Sequence, residues 1–83
     1  MTDFDLWVNS CSSDSDCRLY CLEGNGETGL YQTKTRYMPK GEWNYFYRAP
    51  VYHVWIEGKC IFTSTDYGTA YRKYRASHWG NFL

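Results

Sequence analysis

Residues 51–79 constrain the fold more than any other part of the sequence, because two strand-like segments are followed there by one helical pattern. Val51–Ile56 and Ile61–Thr63 are rich in β-branched and aromatic residues, which favour strands. The turn-forming Glu57-Gly58-Lys59 separates them, so we predict a β-hairpin. Ser64-Thr65-Asp66 follows, and its side chains can cap a helix. The residues after this cap repeat at helical spacing along one face: Tyr67, Ala70, Tyr71, Tyr74 and His78.

This periodic face predicts a C-terminal helix that packs against the sheet, and Gly80 lies where a C-capping glycine belongs. The expected core joins the helix to the hairpin. The hairpin contributes either Trp55 or its neighbours Val54 and Ile56. The other expected core residues are Phe62, Tyr67, Ala70, Tyr71 and Tyr74.

Three further segments have strand character upstream of the hairpin. Leu30–Tyr37 and Trp43–Arg48 are predicted strands, with Met38-Pro39-Lys40-Gly41 as the break between them. Pro50 stands at the start of the next strand, where proline is tolerated. At the N-terminus, Phe4–Val8 has the composition of a first strand.

Residues 14–22 have two interpretations. Ser12-Ser13-Asp14 resembles a helix cap, and Cys17, Tyr20 and Cys21 after it are spaced for one buried helical face. Alternatively, Arg18–Leu22 is a strand that pairs with Leu30–Thr33 across the glycine-rich loop. The sequence leaves both interpretations open.

The expected fold is therefore α+β: a small antiparallel sheet of about four strands, with the C-terminal helix packed on one face. The helical interpretation of residues 14–22 would add a short N-terminal helix. Eighty-three residues allow one domain, 1–83, and one modest core. That length excludes two-domain enzymes and complete dinucleotide-binding folds.

Gly24-Asn25-Gly26-Glu27-Thr28-Gly29 matches the dinucleotide-binding pattern GxGxxG. In that site a helix follows the glycines, and its amides bind pyrophosphate. Here the residues after Gly29 are strand-like, and Glu23 and Glu27 would repel an anionic ligand. We interpret the segment as a turn.

Neither a metal site nor a catalytic site is expected. The four cysteines are Cys11, Cys17, Cys21 and Cys60. No two of them form the CxxC pair that structural zinc sites usually contain. Whether these cysteines are free, metal-bound or paired is left open. His53 lies within a strand-like run and His78 on the core-facing side of the helix, so both are interpreted as structural. We therefore expect a protein that is not an enzyme and has no cofactor.

Charge is unevenly divided along a chain whose formal net charge is zero. Residues 1–29 carry six acidic side chains against Arg18 alone, and residues 30–83 carry eight basic side chains against three acidic ones. Because one small core brings both halves together, mutual neutralisation is the favoured interpretation. The acidic N-terminus lacks the basic and apolar regions of a secretory signal, and no apolar run could cross a bilayer. The expected location is the cytoplasm.

The chain has more large rings than so small a core can hold, with four Trp, nine Tyr and four Phe. Exposed Trp, Tyr and Arg are typical of recognition surfaces. Two groups are the predicted binding residues: Trp43, Tyr45, Tyr47 and Arg48 in the middle of the chain, and Arg72, Arg75 and Trp79 on the outer face of the last helix.

Two functions fit this surface. The first is a non-enzymatic protein that covers a surface on a partner protein. The alternative is a small nucleic-acid-binding module that uses the basic, aromatic C-terminal region, although a zero net charge argues against it. A homodimer would also occupy exposed rings, and no membrane partner is expected.

The segment from Val54 to Tyr67, continuing into Ala70–Arg75, resembles the hairpin-plus-helix units of small bacteriophage accessory proteins. Such proteins often inhibit host machinery, including restriction or CRISPR components. The resemblance covers about a quarter of the chain. It implies an inhibitor that acts in the host cytoplasm by covering a protein or nucleoprotein surface, and it transfers no functional residue.

Overall fold

Five antiparallel strands and two helices make up the part of the chain that the computed structural model describes, which is residues 2–79 with the side chains of residues 2–77. The elements are α1 (Asp3–Ser13), β1 (Cys17–Asn25), β2 (Thr28–Tyr37), β3 (Phe46–Tyr47), β4 (Val51–Ile56), β5 (Lys59–Ser64) and α2 (Tyr67–Trp79). The strand order is β1-β2-β4-β5, and β3 also pairs with β2. This architecture confirms the predicted α+β fold.

The predicted hairpin is formed by β4 and β5. Its two-residue turn has positive φ at both positions, 51° at Glu57 and 83° at Gly58. That combination matches the right-handed twist of antiparallel strands. Ile56 faces Lys59 across the turn, and Val54 faces Phe62 further along. The hairpin therefore brings the apolar residues of both strands onto one sheet.

Asp66 caps α2, as predicted, because its carboxylate accepts a hydrogen bond from the Thr69 amide at 2.9 Å. Ala70 and Tyr74 on the predicted face are buried, and Tyr71 packs at the edge of their cluster. The prediction that Tyr67 belongs to the core is wrong, since the residue is 45% exposed. It lies against the ring of Tyr52 near the start of the helix. The side chain of His78, and Gly80, lie outside the described residues.

The core has two layers, one on each face of the sheet. Leu30 and Val54 pack with Ala70 and Tyr74 on the face that α2 covers. The next residues along the same strands, Tyr31 and Trp55, pack with Phe4 of α1 on the opposite face. Neighbouring residues of a strand point to opposite faces, so both helices find an apolar surface on the same strands. Phe4, Leu30 and Tyr31 were absent from the predicted core.

The predicted first strand at Phe4–Val8 is wrong, because these residues belong to α1. Thr2 and Asp5 form a capping box: the Thr2 hydroxyl accepts from the Asp5 amide, and the Asp5 carboxylate accepts from the Thr2 amide. Acidic side chains in the first turn also favour a helix start. These polar signals outweigh the strand propensity of the aromatic residues.

For residues 14–22, the strand interpretation is confirmed and the helical one is wrong. Arg18–Leu22 lies in β1, and Leu19 pairs with Thr33 of β2. The N-terminal helix of the fold is thus α1, which ends at Ser13 before β1 begins. Within the predicted turn at residues 24–29, only Gly26 and Glu27 connect the strands, because Asn25 already pairs with Thr28. Gly24 and Gly26 have positive φ.

The predicted strand at Trp43–Arg48 is reduced to Phe46–Tyr47. Trp43 lies in the preceding loop and is 92% exposed. β3 and β4 pair with β2 in registers that differ by one residue, and residues 48–50 form the break between them. Pro50 has no amide hydrogen for the ladder, which explains why pairing stops there.

Candidate binding surface

On the α2 side, the sheet carries successive rows of side chains that change in chemistry away from the helix. The row of Leu30 and Val54 is covered by α2. Tyr20, Gln32 and Tyr52 are paired across three strands and form the next row. Arg18 and Lys34 form the row after that. Beyond the helix these rows line an open groove of about 580 Å³. Its residues, called the distal groove below, are Arg18, Tyr20, Gln32, Lys34, Tyr47, Arg48, Pro50 and Tyr52.

The distal groove is cationic. Arg18 and Lys34 are direct cross-strand partners, and neither forms an ion pair with any described carboxylate. Like charges placed directly opposite each other destabilise a sheet. The Lys34 amine lies 5.9 Å from the centroid of the Tyr20 ring. Because no Asp or Glu lines the groove, it presents uncompensated positive charge next to aromatic rings.

A polar and aromatic row borders the cations. The Gln32 side-chain amide donates a hydrogen bond to the Tyr52 hydroxyl at 3.2 Å. The Tyr52 ring contacts Tyr67, and Tyr67 stacks on Tyr71 with 5.8 Å between the ring centroids. The aromatic surface therefore continues from the sheet onto α2.

Unlike Arg18 and Lys34, Arg36 makes contacts that hold the loop before β3 in place. Its Nε atom lies 3.2 Å from the Asp16 carboxylate, which compensates its charge. The guanidinium also lies 4.1 Å from the centroid of the Tyr45 ring. These two contacts hold the loop on the end of the β1–β2 ladder and leave part of the Tyr45 ring in solvent.

The end of the sheet beyond the groove exposes a run of large apolar side chains. Tyr37 and Phe46 are neighbours there, with ring centroids 6.2 Å apart. The Arg48 guanidinium lies 4.5 Å from the centroid of the Tyr37 ring. The exposed set, called the aromatic end below, is Tyr37, Met38, Trp43, Tyr45, Phe46 and Tyr47. Neither helix covers it.

The structure brings together the first predicted group of binding residues and separates it from the second. Trp43, Tyr45 and Tyr47 belong to the aromatic end, and Arg48 adjoins it. Arg72 and Arg75 lie exposed on α2, where the Arg75 guanidinium donates to the Tyr71 hydroxyl at 2.8 Å. The side chain of Trp79 lies outside the described residues.

Sequence reasoning missed the floor of the distal groove. The missed residues are Arg18, Tyr20, Gln32, Lys34 and Tyr52. The signal was present, since Arg18 and Tyr20 are two residues apart, as are Gln32 and Lys34. Such pairs share a face when both segments are strands. This spacing predicts a shared face only if residues 14–22 are a strand, which the sequence left open.

His53 lies on the opposite side of the sheet, next to α1. Its ring packs 4.9 Å from the Trp7 ring, and its Nε2 is 2.8 Å from the Thr33 hydroxyl. Burial lowers the pKa of His53. The Trp7 ring and the Thr33 hydroxyl hold the His53 ring in place.

The cysteines are free thiols. Burial, with a hydrogen bond to the Cys17 thiol as a second cause, raises the pKa of Cys11 to about 11. A thiol with so high a pKa is a poor nucleophile, because the thiolate is the reactive form. Within the described residues, no three His, Cys, Asp or Glu side chains are grouped closely enough to hold a metal ion.

Comparison of the chain with protein-family models, with curated proteins and with solved structures finds no match. No helix within residues 2–79 has the length and apolar character needed to cross a membrane.

Proposed function

We propose that this protein is a non-enzymatic binding protein whose aromatic end attaches to a partner protein. The observation that supports the proposal is the gathering of exposed large apolar side chains at one end of the sheet. Trp43 is 92% exposed and Tyr47 is 59% exposed. A solvent-facing Trp contributes little to the fold, whereas Trp and Tyr are the residues that most often dominate binding energy at interfaces.

The arrangement of the aromatic end also supports a protein partner. Arg36 and Arg48 stack on Tyr45 and Tyr37, so cations are interleaved with the rings. Interface cores are enriched in aromatic residues, Met and Arg. The Arg36 contacts hold Tyr45 in place before a partner arrives, which reduces the side-chain entropy lost on binding.

The resemblance to bacteriophage accessory proteins makes this proposal more specific. By this proposal the protein acts in the cytoplasm of a host cell and inhibits a protein or nucleoprotein machine by covering one of its surfaces. No residue of this chain performs chemistry in such a role, so loss of binding and loss of inhibition should occur together in every variant.

Affinity capture with paired variants tests the proposal. The tagged chain is used to capture proteins from host lysate, with nuclease treatment throughout, and each captured protein is purified and titrated by calorimetry. We expect one protein to bind stoichiometrically, and Trp43→Ala to weaken its binding at least tenfold. Leu6→Ala is the matched control, because Leu6 is a 54% exposed apolar residue on α1. Equal binding by wild type and Trp43→Ala would contradict the proposal.

A second copy of the chain is the other partner that would occupy the aromatic end. Light scattering of the purified protein at increasing concentrations distinguishes a homodimer from a monomer that binds a different protein. A dimer that Trp43→Ala dissociates would replace the proposal of a heterologous partner.

A further inference from the structure

We infer that the distal groove is a binding site for single-stranded nucleic acid. The inference goes beyond the proposed protein contact, because it rests on the groove floor formed by β1, β2 and β4, not on the aromatic end. The residues that carry it are Arg18 and Lys34 for phosphates and Tyr20 for a base.

Charge is the first argument. Arg18 and Lys34 face each other across two strands without a described carboxylate near enough for an ion pair. A bound anion would relieve their mutual repulsion, and phosphate is an anion that both side chains bind well. Arg36 at the adjacent row differs, because Asp16 already compensates its charge. Arg18 and Lys34 differ from isolated surface cations such as Lys59 and Lys73 because they are direct cross-strand partners in the groove floor.

The position of the rings is the second argument. Tyr20 lies two residues from Arg18 on the same face of β1 and is 45% exposed. Successive same-face residues of a strand are about 7 Å apart. A chain crossing the groove could therefore place a phosphate on the cationic row and a base on the aromatic row. Stacking of bases on aromatic side chains is the usual device of sequence-tolerant single-strand binding.

These features favour single-stranded nucleic acid over the other two anionic polymers. An acidic peptide would pair with the cations but has no flat π-face for Tyr20. A duplex keeps its bases stacked inside, where a tyrosine on a sheet cannot reach them. Gln32 adds a hydrogen-bonding group between Tyr20 and Tyr52, and its amide nitrogen is already oriented by the Tyr52 hydroxyl.

Fluorescence anisotropy with labelled ten-residue oligo-dT tests the inference. Two to three neutralised phosphates predict a slope of about −1.4 to −2.1 in a plot of log affinity against log salt concentration. The affinity should then fall by about 7- to 18-fold between 50 and 200 mM salt. Dissociation constants above 1 mM at 50 mM salt would overturn the inference.

Paired variants locate the site. Arg18→Gln with Lys34→Gln should weaken binding at least tenfold and lower the salt slope by about 1.4. Tyr20→Leu should weaken it about fivefold or more without changing the slope. Lys59→Gln with Lys73→Gln removes the same charge from exposed positions on β5 and α2, and it should leave the affinity within twofold. Equal losses in both double variants would overturn the site.

Two further ligands test whether the groove prefers a single strand to a duplex and to an acidic peptide. A ten-base-pair duplex should bind more weakly than oligo-dT, and tighter duplex binding would overturn the preference for single strands. Labelled deca-glutamate should bind more weakly and be insensitive to Tyr20→Leu. If it binds as tightly as oligo-dT, the groove is an acidic-peptide site instead. Trp43→Ala should not affect any of these measurements, so failure here is distinguishable from failure of the proposed protein contact.

Discussion

Arg18 and Lys34 stand directly opposite each other in the β1–β2 register, on the same face of the sheet as α2 but beyond the part that the helix covers. The surrounding fold gives no described carboxylate to either of them. Two adjacent cations on a β-sheet oppose folding, because their repulsion is not offset by the pairing of the strands. A bound anion would relieve this repulsion.

Replacing one of these cations with an acid should therefore stabilise the fold. We expect Lys34→Glu to raise the free energy of unfolding by about 0.2–1 kcal/mol, because repulsion with Arg18 becomes attraction. Urea denaturation in low salt measures the change, and 1 M NaCl should abolish most of it. Lys73→Glu makes the same charge change on α2 and should stay within about 0.5 kcal/mol of wild type. A Lys34→Glu variant less stable than wild type would show that the two charges do not interact as described.

The two-layer core predicts a sharp contrast between two leucines. Leu30 is fully buried between the sheet and α2, and Leu30→Ala should reduce the free energy of unfolding by about 2–5 kcal/mol through lost burial and a residual cavity. Leu6 is 54% exposed, so Leu6→Ala should change it by less than about 0.5 kcal/mol. Thermal or urea unfolding followed by circular dichroism compares them. Similar effects at both positions would contradict the described packing.

The β1–β2 hairpin predicts a difference between Gly24, which lies in β1, and Gly26, which lies in the turn, although both have positive φ. A Cβ at Gly24 would lie 2.5 Å from the Thr28 carbonyl oxygen and 2.7 Å from the Gly29 Cα, both backbone atoms that cannot easily move. A Cβ at Gly26 would meet nothing within 4 Å. We expect Gly26→Ala to cost about 1–2 kcal/mol from its backbone conformation alone, and Gly24→Ala to cost clearly more. Urea titration of both variants checks the order, and a smaller effect at Gly24 would refute it.

His53 predicts how stability depends on pH between 5 and 7. Burial lowers its pKa in the folded protein, so the unfolded chain binds a proton more readily. Stability linked to this residue is fully present above the unfolded pKa of about 6.5 and is lost as the pH falls below it. Melting temperatures at pH 5, 6 and 7.5 should fall with acidification in the wild type. His53→Gln should flatten this dependence, whereas an unchanged slope would assign it to other groups.

Local patterns were sufficient for the C-terminal part of the fold. The turn at Glu57-Gly58-Lys59, the Asp66 cap and the spacing of Ala70 and Tyr74 each depend on neighbours in sequence, and the structure has all three, although Lys59 already belongs to β5. The N-terminal part was predicted less well. Phe4–Val8 was assigned by the strand propensity of its aromatic residues, although the capping box of Thr2 and Asp5 selects a helix.

The groove floor and half of the core depend on contacts that no local pattern encodes. The sequence predicts one strand that contains both Leu30 and Tyr31. Their burial in separate layers of the core depends on two helices that pack on opposite faces of the sheet. Likewise, the pairing of Arg18 with Lys34 follows from a hairpin whose first strand the sequence left undecided. Trp43 is exposed, as expected, but its strand assignment is wrong because β2 ends at Tyr37, whose partner is Phe46, and Trp43 lies in the loop before that pair.

Leu30 and Tyr31 are adjacent in β2, and Val54 and Trp55 are adjacent in β4, so the two layers of the core share the backbone of the same two strands. Neither helix can detach without exposing one side of the same two central strands, and each layer alone is too small to sustain them. We therefore expect both helices to melt in a single cooperative transition, with no stable intermediate that keeps just one of them.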